Sequence, residues 1–219
     1  MKSIMILNYL EALYNLKIPQ HLLLFSNLLS PEFNSKGLHF LFACMRNYLV
    51  ELTGDILCAL YAPLGTTTNS VVYISMTDFG LHADLYPPQN LFNVFVEVDD
   101  DSSGASIFLQ TSVLSEILDD IDTISSENKS KILDCLFKDD KEDHYTEFFN
   151  MLHGHEHSWV DELEEKFKAR QMRIKMKKGE GYLINDRMWL HGRESTNLPV
   201  TEKRLHRFIF NTMENQSTR

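Results

Sequence analysis

Apolar side chains recur at helical spacing near the start of the chain, at Ile6, Leu10, Leu13 and Leu16, and Pro19 ends the run. That pattern predicts an amphipathic helix over residues 4–16. A second short helix is expected over residues 20–30, before Pro31. A longer one is expected from Leu38 to Leu52, with Phe40, Leu41, Cys44, Tyr48 and Leu49 on its inner face and Gly54 after its end. The period then shortens. Ile56–Tyr61 and Val71–Met76 are short β-type runs separated by a turn-like Gly65–Asn69, and Leu91–Val98 is a strong strand closed by the acidic turn Asp99–Gly104. Ala105–Leu109 makes another strand. From about 112 to 178 the chain reads as helical and polar, after which β pattern returns at Tyr182–Asn185, Trp189–His191 and Arg204–Phe210.

Helices first, then short strands split by a helical insertion, predict a mainly β fold with α decoration: a double-stranded β-helix, or jelly-roll, barrel. At 219 residues the chain is expected to form one domain over 1–219, with a helical N-terminal part to about 53 and a helical acidic insertion over about 112–178. A barrel mouth of that kind holds a small ligand.

Charge narrows the partners. The net charge of −10 argues against nucleic acid, whose phosphates want basic patches. Between Glu116 and Glu165 sixteen carboxylates face four lysines, which predicts a solvated helical surface or a lid favouring a cationic substrate. The apolar run around Leu22–Phe25 is far too short to span a membrane, and the polar interruptions at Asn8, Glu11 and Asn15 argue against a signal peptide. Cys44, Cys58 and Cys135 are odd in number and widely spaced, as free thiols in a reducing compartment would be. These features predict a soluble, cytoplasmic protein with a small-molecule substrate and no nucleic-acid or membrane partner; the oligomeric state is left open.

The chemistry concentrates in Phe79–Pro88. His82 and Asp84 stand two apart, and on an extended strand residues i and i+2 share a face, so both can aim at one ion. His191, far downstream in Asn185-Asp186-Arg187-Met188-Trp189-Leu190-His191-Gly192-Arg193, is the candidate third ligand. Two histidines and a carboxylate on one side of an octahedral metal form the facial triad of non-haem Fe(II) oxygenases, which leaves three positions open. A competing cluster, His153-Gly154-His155-Glu156-His157, offers paired histidines on a helix or strand for Zn(II) or Ni(II), a lid contact with substrate, or a solvated loop.

Three segments, Leu81-His82-Ala83-Asp84, Ser103-Gly104-Ala105-Ser106 and Asp186–Arg193 followed by an arginine-rich strand, resemble the Fe(II)/2-oxoglutarate-dependent dioxygenases. Within them the chain looks most like the taurine dioxygenase, clavaminate synthase and glutarate hydroxylase group. The resemblance covers roughly 79–110 and 179–211. It implies that His82, Asp84 and His191 bind Fe(II), with 2-oxoglutarate and O₂ as cosubstrates. It also implies that Ser106 hydrogen-bonds the distal carboxylate of 2-oxoglutarate, although the family's usual residue there is Thr in a Gly-Gly-x-Thr context. The basic partner of that carboxylate stays open among Arg204, Arg207 and Lys203; Arg204 is favoured for its place at the start of the last strand. On that strand Arg204 and Arg207 face opposite ways, so only one points inward. Because Asp84 is present, hydroxylation or desaturation is expected rather than halogenation, for which superfamily members lack the carboxylate. The alternatives are a cupin-type metalloenzyme that does not use 2-oxoglutarate and a non-enzymatic jelly-roll binding protein.

Overall fold

A computed structural model describes residues 22–25, 35–53, 56–64, 79–84, 90–97, 104–137, 144–177, 180–194 and 205–212. The expected helix over 4–16 and the strand over 71–76 lie outside them. Among the described residues nine strands form two antiparallel sheets. The larger has the order β1 (Leu22–Phe25), β7 (Gly181–Asn185), β4 (Asn90–Glu97), β9 (Leu205–Thr212), β2 (Ile56–Leu64). The smaller has the order β3 (Phe79–His82), β8 (Trp189–Arg193), β5 (Ser106–Gln110), β6 (Met172–Ile174). Among the described residues these are two separate open sheets, and the expected closed barrel is not seen.

Side-chain alternation stacks the layers. On β5, Phe108 is fully buried against Tyr182 and Ile184 of β7, joining the two sheets; the Phe108 and Tyr182 rings meet edge to face at 4.8 Å. Their neighbours Ile107 and Leu109 point the other way, into a cluster with the helices. On β9, Phe208 and Phe210 pack against Phe42 of α1 (Ser35–Thr53), at centroid distances of 5.3 and 5.2 Å. The order is therefore helix, large sheet, small sheet, helices. The buried stripe of α1 is Leu41, Cys44, Met45 and Leu49, as its period requires, but Phe40 is exposed.

Helices α2 (Thr111–Asp119), α3 (Ser126–Phe137), α4 (Tyr145–His153) and α5 (Val160–Arg170) occupy the expected insertion. They are more than decoration, and the fold is mixed helix and sheet. Leu114, Ile117, Ile132, Phe148, Leu163 and Phe167 share one buried cluster with Leu81, Ile107, Leu109 and Leu190 of the small sheet. Two strands depart from the pattern. Leu22–Phe25, expected within a helix, pairs instead with β7, and Met172–Ile174 pairs with β5 inside a stretch that reads as helical. In both cases the ladder to an existing strand overrides a local preference. No helix among the described residues is long and apolar enough to cross a membrane.

Candidate metal centre

The site forms where the small sheet faces the large one. His82 and His191 are direct cross-strand partners on β3 and β8, both 4% exposed, with ring centroids 4.4 Å apart. The pairing is not regular. Phe79 sits opposite Arg193 and His82 opposite His191, so three steps on β3 match two on β8 and one residue is extra. Such a bulge re-aims the side chain that follows it. Two carbonyls of the bulge are taken by imidazoles: the His82 Nδ1–H donates to the Gly80 carbonyl at 2.8 Å, and the His153 Nε2–H donates to the Leu81 carbonyl at 2.9 Å. A carbonyl only accepts, so His82 must carry its proton on Nδ1 and present a bare Nε2.

Asp186 faces His191 from the other side. The His191 Nδ1 lies 3.2 Å from Oδ1 of Asp186, a carboxylate only 1% exposed. The second oxygen of Asp186 accepts the backbone N–H of Asp84. One buried carboxylate thus orients two members of the site, as outer partners of ligating histidines do. Asp84 faces both rings, its Oδ1 3.9 Å from His82 Nε2 and its Oδ2 3.9 Å from His191 Nε2. One ligand atom from each of the three lies within 4.8 Å of the others, close enough to converge on one ion.

Arg207 enters from the large sheet. Its side chain is buried on the face of β9 opposite Phe208, and its guanidinium donates to Oδ2 of Asp84. Arg204 and Lys203 lie outside the described residues. Ser106 is buried at the start of β5, opposite Arg193. Beside it the Tyr182 phenol is pushed up by burial, opposed in part by Arg193, Arg207 and the Ser106 hydroxyl. Burial also holds the His82 imidazole down to about 3, helped by His191 and opposed by Asp84. The Asp186 carboxyl is pushed up by burial and by Asp84, while His191 and Arg207 pull it back. The sequence pattern did not single out Asp186 or Tyr182: one reads as a turn residue and the other as strand, and only the fold shows what each touches.

The His153–His157 cluster does not converge on an ion. His153 seats over Gly80, where an added Cβ would come 2.7 Å from its Nε2; His155 is exposed; His157 stacks on Trp159 at 4.4 Å. Tyr145, Phe149 and His153, each four residues on from the last, form a row along α4. The first two approach His82 at centroid distances of 6.1 and 6.3 Å. A cavity of about 690 Å³ opens beside this row, lined among others by Gly80, Phe149, His153, Glu164 and Arg193; none of His82, Asp84 and His191 lines it.

No protein-family model matches the sequence, and no curated protein matches it in sequence. Solved structures do match in fold. An asparagine oxygenase held with Fe(II), 3-hydroxyasparagine and succinate superposes with a TM-score of 0.56 at 9% identity, covering 94% of this chain and 78% of that one. The non-heme iron oxygenase OrfP, in complex with (3S)-hydroxy-L-Arg, gives 0.51 at 7% identity, over 95% and 80%. The PvcB protein of Pseudomonas aeruginosa gives 0.50 at 12% identity, over 94% and 82%. At such identities the likeness is one of fold, and it joins this chain to an architecture on which iron oxygenases are built.

Proposed function

We propose that the protein is an Fe(II)- and 2-oxoglutarate-dependent oxygenase. It hydroxylates a small molecule, an amino acid or an amino-acid-derived metabolite, with release of succinate and CO₂. The observation that carries this reading is the convergence of His82, Asp84 and His191, with the Arg207 guanidinium in the same chamber. Two imidazoles whose outer nitrogens face a carbonyl and a carboxylate, plus one carboxylate ligand, are the donor set that suits Fe(II) and leaves positions for other ligands. When bound, the iron with 2-oxoglutarate and O₂ supplies the oxidation, one oxygen atom going to succinate and the other to the substrate.

The chain's own residues do the rest. Gly80 and Asp186 hold a proton on each outer ring nitrogen, so both Nε2 atoms remain ligands. We assign the distal carboxylate of 2-oxoglutarate to Arg207, with Ser106 and Tyr182 as hydroxyls on the same side. A buried guanidinium is the residue for a bidentate carboxylate. The two facing sheets are, in this reading, the two halves of a jelly roll within one dioxygenase-like domain, and they keep water from the reacting atoms. The motif residues favour the taurine dioxygenase, clavaminate synthase and glutarate hydroxylase group. The amino-acid class is supported by the asparagine oxygenase and OrfP, which share the fold. Free Cys44 and Cys135 fit a cytoplasmic setting.

The test is anaerobic addition of Fe(II) with and without 2-oxoglutarate. A weak visible charge-transfer band that needs both, and is lost in His191→Ala, is the expected result. In Arg207→Ala the 2-oxoglutarate affinity should fall by about 2–5 kcal/mol, the cost of removing one partner of a buried charge pair. A folded, iron-loaded protein that gives no band with 2-oxoglutarate overturns the proposal.

A further inference from the structure

Among the described residues outside that centre, one other group of unlike ligand residues converges. Cys135 Sγ, a His144 ring nitrogen and a Glu147 carboxylate oxygen all lie within 4.8 Å of one another. Cys135 is on the buried face of α3, with Ile132 and Leu136, while His144 is the N-cap residue of α4 and Glu147 lies in its first turn. The spacing, Cys-x8-His-x2-Glu, spans two packed helices, and residues three apart at a helix start are neighbours on its surface. The thiol is 6% exposed and lies 3.9 Å from Oε2 of Glu147, whose other oxygen is held by Lys131 Nζ at 2.7 Å. That lysine leaves Oε2 as the oxygen turned to the sulfur.

We propose that Cys135, His144 and Glu147 form a second metal site, selective for a borderline divalent ion such as Zn(II). A thiolate, an imidazole and one carboxylate oxygen, with water in the fourth position, are a tetrahedral donor set of that kind. The all-nitrogen-and-oxygen centre at His82 lacks the soft ligand that sets this one apart. Binding replaces the thiol proton: the S–H bond breaks, a sulfur–metal bond forms, and the proton leaves to solvent. The surrounding segment carries sixteen carboxylates against four lysines, which raises the local concentration of cations. The bound ion cross-links α3 to α4, the helix whose Tyr145 and Phe149 face His82.

The probe is Co(II), added to the full chain under reducing, anaerobic conditions and read by absorption. Only a cysteine ligand gives the intense near-ultraviolet thiolate-to-cobalt band, so the reading is blind to the sulfur-free centre. Saturating Co(II) should produce the band in wild type and equally in His191→Ala, and Zn(II) should bleach it. Cys135→Ser should abolish it. His144→Ala and Glu147→Gln, at positions not buried in the core, should weaken Co(II) binding by at least about tenfold while the protein stays folded. A band absent from wild type, retained in Cys135→Ser, or unmoved by both other changes overturns the proposal.

Discussion

Both imidazoles of the centre are committed at their outer nitrogens, and the two commitments differ in kind. His82 leans on a backbone carbonyl, which stays put as long as the bulge does, whereas His191 leans on a side chain, Asp186, that a single substitution can weaken. Asp186→Asn keeps the shape and removes the charge that supports the ring, so Fe(II) affinity should fall by about ten- to a hundredfold, measured by titration of the metal-free protein. The pH dependence of stability follows from His82. Its folded pKa of about 3 lies below the ordinary 6.5, so between those values the unfolded chain takes a proton that the fold refuses. The stability this group contributes is complete above pH 6.5 and is lost as pH falls toward 3. Asp186 works in the opposite sense: its raised carboxyl accepts a proton in the fold first and offsets part of the loss as pH falls through that raised value. Denaturant unfolding of metal-free wild type and His82→Gln at pH 7 and pH 5 isolates the histidine. Wild type should lose about 2 kcal/mol more than the variant over that interval.

The element that sets the site is β3, four residues long and bulged at the edge of its sheet. An edge strand with few ladder bonds needs other anchors, and α4 supplies one by placing His153 over Gly80 and on the Leu81 carbonyl. Glycine is required there because a Cβ would fall 2.7 Å from the ring's Nε2. Gly80→Ala should therefore destabilise the protein by about 1–3 kcal/mol, as overpacking does. In His153→Ala the same added methyl has room, so the double variant should be less damaged than the sum, with a coupling of about 0.5–3 kcal/mol in a denaturation cycle. Additive losses would mean that the two do not touch in solution. Much of this scale was legible from periodicity: α1, β2, β4, β7 and β9 fall where the apolar pattern puts them, because each apolar run is long enough to show its period. What the pattern could not show were elements whose state is decided by a partner. Leu22–Phe25 reads as helix by composition and is a strand because β7 has an open edge; β6 has three residues, too few for any period. His82, Asp84 and His191 stood out by residue type and spacing, whereas the pattern left the basic residue open among Lys203, Arg204 and Arg207; Arg207 lies beside Asp84, and the other two lie outside the described residues.

At the scale of the whole molecule, the acidic stretch has two natures that the sequence presents as one. Its described carboxylates are exposed or partly exposed, but its apolar residues complete the core on the outer side of the small sheet: Leu114, Ile117, Phe148, Leu163 and Phe167 pack in one cluster with Leu81 and Leu190. Leu81 and Leu190 each directly precede a candidate metal ligand, His82 and His191. Alternation then puts the helices and the candidate metal centre on two faces of the same strands, one dry and apolar, the other polar. A hinged lid would carry its own small core and open without disturbing the sheet, whereas these helices share their core with the sheet. Leu163, fully buried on α5, discriminates the two cases. Leu163→Ala should cost about 2–5 kcal/mol, the transfer and cavity terms of a core truncation. The loss should appear as one shifted transition, the same by helix signal in far-ultraviolet circular dichroism and by near-ultraviolet signal from the aromatic residues between the sheets. If the segment were a separate lid, the helix signal would shift alone and the aromatic signal would keep its wild-type midpoint.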